Sequence, residues 1–287
     1  MPSLKDIRKR ISSVKNTQKI TRALKLVSAA KLNRAQREMS RLRPYAEKQT
    51  ALISDLVAEV GSESSPLFEP RNEVRRVAVL LITSDRGMCG GFNSNVLKLF
   101  RRFVDKKRAA GAEVGVYSLG KRAAQFVKKE GYELAQNLGE ALNPSLPQEI
   151  PALADQFTQD FLSGDYDEVY VVSNRFKNAI TQVPESQSVL PIMPPEGAEA
   201  SGVERIYEPD QQTLLDFILP RAIETQLRQA VLESITGEHA ARMNAMNSAT
   251  DNATDMINTL TLDLNRARQA AITAELMEII SGAEALK

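Results

Sequence analysis

The chain has 287 residues, 43% hydrophobic and 25% charged, with one cysteine, one histidine and no tryptophan. A lone Cys89 excludes an intrachain disulfide and fits a reducing compartment, and no run of eighteen apolar residues is present to span a bilayer. The net charge of +1 hides an asymmetry: residues 1–50 carry fourteen Lys or Arg against Asp6, Glu38 and Glu47, a balance of +11, which leaves −10 for the remainder.

No apolar signal segment follows Met1, so export is not expected. Ser3 is a good N-cap with Asp6 three residues later, which opens a helix. Alternate steps of three and four from Leu4 reach Ile7, Ile11 and Val14, then the polar Gln18, Thr21, Lys25 and Ser28, and turn apolar again from Leu32 through Ala35, Met39 and Leu42. Apolar Ile20, Leu24 and Val27 lie on another face, so the pattern predicts a heptad seam that slips and locally changes partner. Pro44 is a candidate kink, and the stretch 61–66 ends the helix. The basic charge of this arm suits a solvated helix surface, nucleic acid or an acidic protein partner. Nucleic acid is disfavoured, because residues 3–43 offer no aromatic for base stacking and no recognition signature.

All fifteen Phe and Tyr residues fall between Tyr45 and Phe217, and there the pattern alternates between strand and helix. Strands are predicted at 77–83, 113–118 and 168–173, with an edge strand at 180–189 before Pro191, Pro194 and Pro195. Helices are predicted at 95–109, 121–130 and 148–162, which together make an α/β domain with a largely parallel sheet. From Arg221 to Lys287 there is again neither proline nor aromatic residue. Met243, Met246, Thr250, Ala253, Ile257, Leu260, Leu264, Ala267, Ala271 and Ala274 keep the 3-4 spacing, whereas Ile223, Leu227, Val231 and Ile235 step by fours and drift round the helix. Two such helices, each roughly 80 Å long, need one another, and they run antiparallel if the inserted domain has neighbouring ends. The boundaries read as 1–62 for the N-terminal helix, 63–209 for the α/β domain and 210–287 for the C-terminal helix.

Catalytic signatures are weak. Residues 115–121 match seven positions of a phosphate-binding loop, but Arg122 stands where a Ser or Thr must hold magnesium, and Gly115 falls inside a strand pattern. The glycine-rich stretch from Ser84 to Gly91 follows a strand and precedes a helix; it reads as a tight packing loop or, less well, as a small-molecule site. Cys89 and the only histidine, His239, lie in different elements, so neither a Cys–His pair nor a zinc site is expected, and His239 reads as an ordinary helix-surface residue. Two classes compete: an α/β nucleotide-binding enzyme with helical dimerisation arms, and an interaction protein whose helical rod is the working part.

The end of the chain separates them. Residues 272–283, Ile-Thr-Ala-Glu-Leu-Met-Glu-Ile-Ile-Ser-Gly-Ala, resemble the C-terminal signature of the gamma subunit of F-type ATP synthases, including Thr273, Glu275 and Glu278. Lys5–Arg8 with Asn16–Thr21, the loop Thr83–Gly91, and Glu238–Met243 (with Glu238 and Arg242) followed by Ala249–Asn252 resemble further parts of that family in order. The resemblance implies an antiparallel coiled coil of the terminal helices with an inserted Rossmann-like α/β domain. It implies a central-stalk rotor without cofactor or metal, bound to alpha, beta and epsilon subunits and the membrane c-ring, and touching the membrane only through the complex. It further implies that Arg268, Gln269 and Thr273 meet a beta-subunit catch loop, and that Arg8, Arg10 and Lys25, with Leu24 nearby, face an acidic beta lever. Tyr207 and Glu208 fall near the c-ring and epsilon, and Cys89 near beta and epsilon. The implied location is the cytoplasmic face of a bacterial plasma membrane.

Overall fold

The computed structural model describes residues 3–142, 146–193, 207–208 and 210–284; Pro194, Pro195 and Pro209 lie outside them. The chain divides into two compact units, Ala30–Ala241 and the pair of segments Met1–Ala29 and Arg242–Lys287.

The larger unit is built on strands β1 (Arg76–Ile82), β2 (Glu113–Leu119), β3 (Leu134–Asn137), β4 (Glu168–Phe176) and β5 (Gln182–Leu190), in the order β3-β2-β1-β4-β5. The first four neighbours pair in parallel, and β5 closes one edge antiparallel to β4. β1 is buried on both faces, which is why its sequence is an unbroken apolar run. Its alternate residues divide between two cores. Val77, Val79 and Leu81 meet α2 (Phe92–Ala109) and α3 (Lys121–Glu130) through Val96, Phe100, Val104 and Val127. Ala78, Leu80 and Ile82 face a second core containing Phe157 and Phe161 of α4 (Leu146–Ser163). That second core also takes in Ile53 and Leu56 of α1 (Leu4–Val60), and Leu215, Leu219, Ile223 and Leu227 of α5 (Gln211–Glu284). The drift of apolar residues from Ile223 to Val231 is thereby explained, because this part of α5 covers a sheet face and its side chains answer to strands as well as to a helix. α1 runs unbroken through Pro44 and α5 through Pro220.

The smaller unit is an antiparallel coiled coil. Ser3 Oγ accepts from the Asp6 backbone N–H at 3.2 Å, and Asp6 Oδ2 accepts from the Ser3 N–H at 3.3 Å, the reciprocal cap anticipated from the sequence. The less exposed positions of α5 run through Met243, Met246, Thr250, Ala253, Ile257, Leu260, Leu264, Ala267 and Ala271, as their spacing foretold. On α1 the seam does not slip. Gln18, Thr21, Lys25 and Ser28 stay in it, partly or fully buried, while Ile20 and Val27 are 60% and 53% exposed. The reason is satisfied polarity: residues of α5 supply hydrogen-bond partners to Gln18, Thr21 and Lys25, and the Ser28 hydroxyl donates to the Leu24 carbonyl of its own helix at 2.8 Å, so polarity at these positions does not expel them from the interface.

Candidate functional site: the polar seam, the exposed tip and the loop after β1

Three cross-helix contacts define the seam. Gln18 Nε2 donates to Thr254 Oγ1 at 2.7 Å, the Thr21 and Thr250 hydroxyls meet at 2.8 Å, and Lys25 Nζ donates to Asn247 Oδ1 at 2.5 Å. Each step along α1 is matched by an opposite step along α5, which fixes the antiparallel register. Lys25 is therefore tied to the neighbouring helix, and Leu24 is half-buried beside it, while Arg8 and Arg10 are exposed. Both threonines also bond carbonyls of their own helix. Replacing the pair with Thr21→Val and Thr250→Val keeps shape and leaves no orphaned donor. The double variant is expected to melt within about 1 kcal/mol of the parent, or above it; a calorimetric scan of the whole chain checks this.

Continued past the seam, the same register pairs Leu4 with the neighbourhood of Arg268. Beyond that point α5 has no facing helix within this unit, and Ile272, Leu276, Met277, Ile279 and Ile280 are 50–67% exposed. Arg268, Gln269, Thr273, Glu275 and Glu278 are likewise exposed on this single-helix stretch, with the Thr273 hydroxyl donating to the Gln269 carbonyl at 2.9 Å. The structure thus gathers five of the sequence-derived positions onto one tip.

Glu238 and His239 are buried, and so is Arg242 in the smaller unit. The expectation that His239 is an ordinary helix-surface residue is incorrect: it is 4% exposed, within a run from Thr236 to Ala240 that is buried throughout. Both sides of this turn are covered. His239 lines the same hollow as Lys31, Ala35 and Ile235, and on the opposite side a Cβ at Gly237 would lie 3.2 Å from Phe92 and 3.2 Å from Gln182, so the start of α2 and the start of β5 press against it. Periodicity of one helix cannot reveal that a second side is covered.

At the other end of α5, Tyr207 is half-buried with its hydroxyl donating to Glu59 at 3.2 Å, and Glu208 is exposed. Gln211 Nε2 reaches the other Glu59 oxygen at 2.8 Å.

The loop between β1 and α2 turns its polar groups inward. The Ser84 N–H donates to Asn93 Oδ1 at 3.0 Å, Asn93 Nδ2 donates to Ser84 Oγ at 2.7 Å and to Cys89 Sγ at 3.3 Å, and Cys89 is 2% exposed. Asp85 spans two segments: Oδ1 accepts from the Lys121 and Ala141 N–H groups, both at 3.1 Å, and Oδ2 from the Leu142 N–H at 3.2 Å. Its carboxylate thus holds the N-terminus of α3, where a helix favours negative charge. This arrangement supports the packing-loop reading over a ligand site. Asp85→Ala removes the acceptor of three N–H groups and is expected to cost about 2 kcal/mol, read as a lowered urea midpoint.

The phosphate-loop lookalike is occupied by packing in the same way. A Cβ at Gly115, inside β2, would fall 2.5 Å from the Tyr166 hydroxyl, and Lys121 Nζ pairs with Glu140 at 2.6 Å. The nucleotide-binding reading has no geometric support here.

Residues 3–286 match a family model described as ATP synthase. The chain is 47% identical to the ATP synthase gamma chain of Geobacter metallireducens over 288 residues, covering all of both chains. It is 43% identical over 294 residues to that of Chlorobaculum parvum, again covering all of both. Among solved structures, a chain of the Euglena gracilis mitochondrial ATP synthase (OSCP/F1/c-ring, rotational state 3) aligns with a TM-score of 0.64 at 18% identity, covering 99% of this chain and 94% of that one. A chain from the central stalk and c-ring of the Tetrahymena thermophila enzyme aligns with a TM-score of 0.61 at 24% identity, covering 80% of this chain and 99% of that one; these two likenesses speak to the fold alone. With the family model and the full-length relatives in agreement, this chain belongs to the ATP synthase gamma-chain family.

Proposed function

We propose that this chain is the central-stalk rotor of an F1 sector, without a catalytic site of its own, and that its rotation couples proton flow through a membrane c-ring to ATP synthesis or hydrolysis on beta subunits. The observation that carries the reading is the exposed apolar tip of α5 at the end of a hydrogen-bonded helix pair. A tip of Ile, Leu and Met without aromatics forms few directional bonds, so it can turn inside an apolar sleeve without deep energy wells. Around it, Arg268, Gln269 and Thr273 are free to meet a beta-subunit loop. Exposed Arg8 and Arg10 offer the positive charge that an acidic beta segment would meet, while the amine of Lys25, held by Asn247, contributes mainly to the seam.

The coupling is thermodynamic. One rotor orientation binds each of three beta conformations with a different free energy, and rotation permutes them. At the other end, Tyr207 and Glu208 suit contact with epsilon and the c-ring. No helix among the described residues is long and apolar enough to cross a membrane. The proposed attachment is peripheral, through the complex, on the cytoplasmic face of a bacterial membrane.

Two measurements test this together. The chain should co-purify from membranes with alpha, beta and epsilon subunits, and calorimetry of the isolated chain with Mg-ATP should show no heat of tight binding. A micromolar one-to-one isotherm would restore the enzyme reading.

A further inference from the structure

A trough of about 820 Å³ opens in the larger unit between α1, the start of α4 and the inner part of α5. Its wall is largely aliphatic, with Leu42, Leu146, Ile150, Val231 and Ile235 among its members, and His239 contributes its one ring. Its α1 rim is a column of charge: Lys31, Arg34, Glu38 and Arg41. These recur at helical spacing on one face and span roughly 15 Å.

We propose that this trough binds a free aliphatic carboxylate, an anionic head on a flexible hydrocarbon chain. The charges choose where the head sits. Arg34 is paired with Glu38 at 3.3 Å, and Arg228, on the α5 wall, with Glu224 at 2.7 Å. Arg41 engages no carboxylate among the described residues. The antiparallel course of α1 and α5, fixed in this unit by the Glu59–Gln211 bond, brings Arg228 to the Arg41 end of the trough and leaves Lys31 at the other. A carboxylate between Arg41 and Arg228 gains charge-assisted hydrogen bonds, and its chain lies along the aliphatic wall toward Ile235.

Size and lining select the class. The volume falls in the range of small-molecule clefts, about 300–1,000 Å³. The only ring on the wall is the His239 imidazole, and the rest of its apolar surface is aliphatic, which suits a flexible hydrocarbon chain. Unlike the rotor reading, this inference concerns the lone chain.

The test is calorimetric titration of dodecanoate into the full chain, below the concentration at which dodecanoate forms micelles. The expected result is saturable one-to-one binding, weakened at least tenfold by Arg41→Gln and less than threefold by Lys31→Gln. Dodecan-1-ol, which has the chain without the charge, should bind at least tenfold more weakly than dodecanoate. Arg41 and Lys31 are both exposed, so circular dichroism of the two variants should match the parent. Equal affinity of parent and Arg41→Gln overturns the proposal, as does heat that appears only with micelles. Displacement of dodecanoate by an acidic amphipathic peptide that binds more tightly also overturns it, by assigning the trough to a protein partner.

Discussion

Leu260→Pro should reduce ATP-driven ion pumping more than it reduces ATP hydrolysis in the assembled complex. Leu260 lies on the seam face of α5, opposite the first turns of α1, and is partly buried. Proline at this position deletes a backbone hydrogen bond and clashes with the preceding turn, at a cost of about 3 kcal/mol or more. The damage falls in the coiled-coil unit, whereas the sheet of the other unit has two apolar cores of its own and should remain folded. A bent helix pair can still occupy its seat while failing to impose one orientation on the catalytic subunits. Acidification of inverted vesicles reports pumping and phosphate release reports hydrolysis. An unchanged ratio of the two in assembled variant complex would remove the coiled coil from the coupling path.

Gly120→Ala is expected to be among the most damaging single-methyl additions in the α/β unit. Gly120 precedes α3 with φ 97° and ψ 141°, a backbone region in which side chains are strained by about 1–3 kcal/mol. A Cβ there would also lie 2.3 Å from the Thr83 carbonyl oxygen, backbone that the β1–β2 pairing holds in place. Thr83 cannot retreat freely, because its hydroxyl accepts the Ala123 N–H at 2.7 Å. The combined cost should reach about 3 kcal/mol, a fall in Tm of roughly 6–12 °C. Gly164→Ala separates the two causes: φ is 82° there, but nothing lies within 4 Å of the added methyl, so only the backbone cost remains. If both variants melt alike, the close approach at Thr83 is not what makes Gly120 necessary.

Much of this architecture is legible in the residues because two periods dominate them. The apolar run of β1 announces a strand buried on both faces, and the 3-4 steps from Met243 to Ala271 announce a helix seam. The short β3 was not foreseen, since Leu134–Asn137 is four residues long and exposed throughout, so no alternation marks it. The polar stretch from Gln18 to Ser28 misled for a different reason. Taken alone it resembles a break in the seam, and only the facing Asn247, Thr250 and Thr254 reveal that the seam is intact. Of the candidate site, the tip was readable because its positions lie in one continuous motif. The burial of Cys89 and His239 was not, because it depends on residues of other elements, Asn93 against Cys89 and Lys31 and Ala35 of α1 beside His239.

The hydrogen-bonded stretch of the seam has a mechanical consequence. An aliphatic seam is nearly indifferent to sliding by one heptad, since one leucine replaces another. Gln18–Thr254, Thr21–Thr250 and Lys25–Asn247 are not interchangeable with their neighbours. Displacing α5 by seven residues, roughly 10 Å, would set the Thr21 hydroxyl opposite Met243 or Ile257 in place of Thr250. The three pairs therefore act as a detent along the axis. The two strands of the shaft can share a twisting load while remaining locked against lengthwise shear.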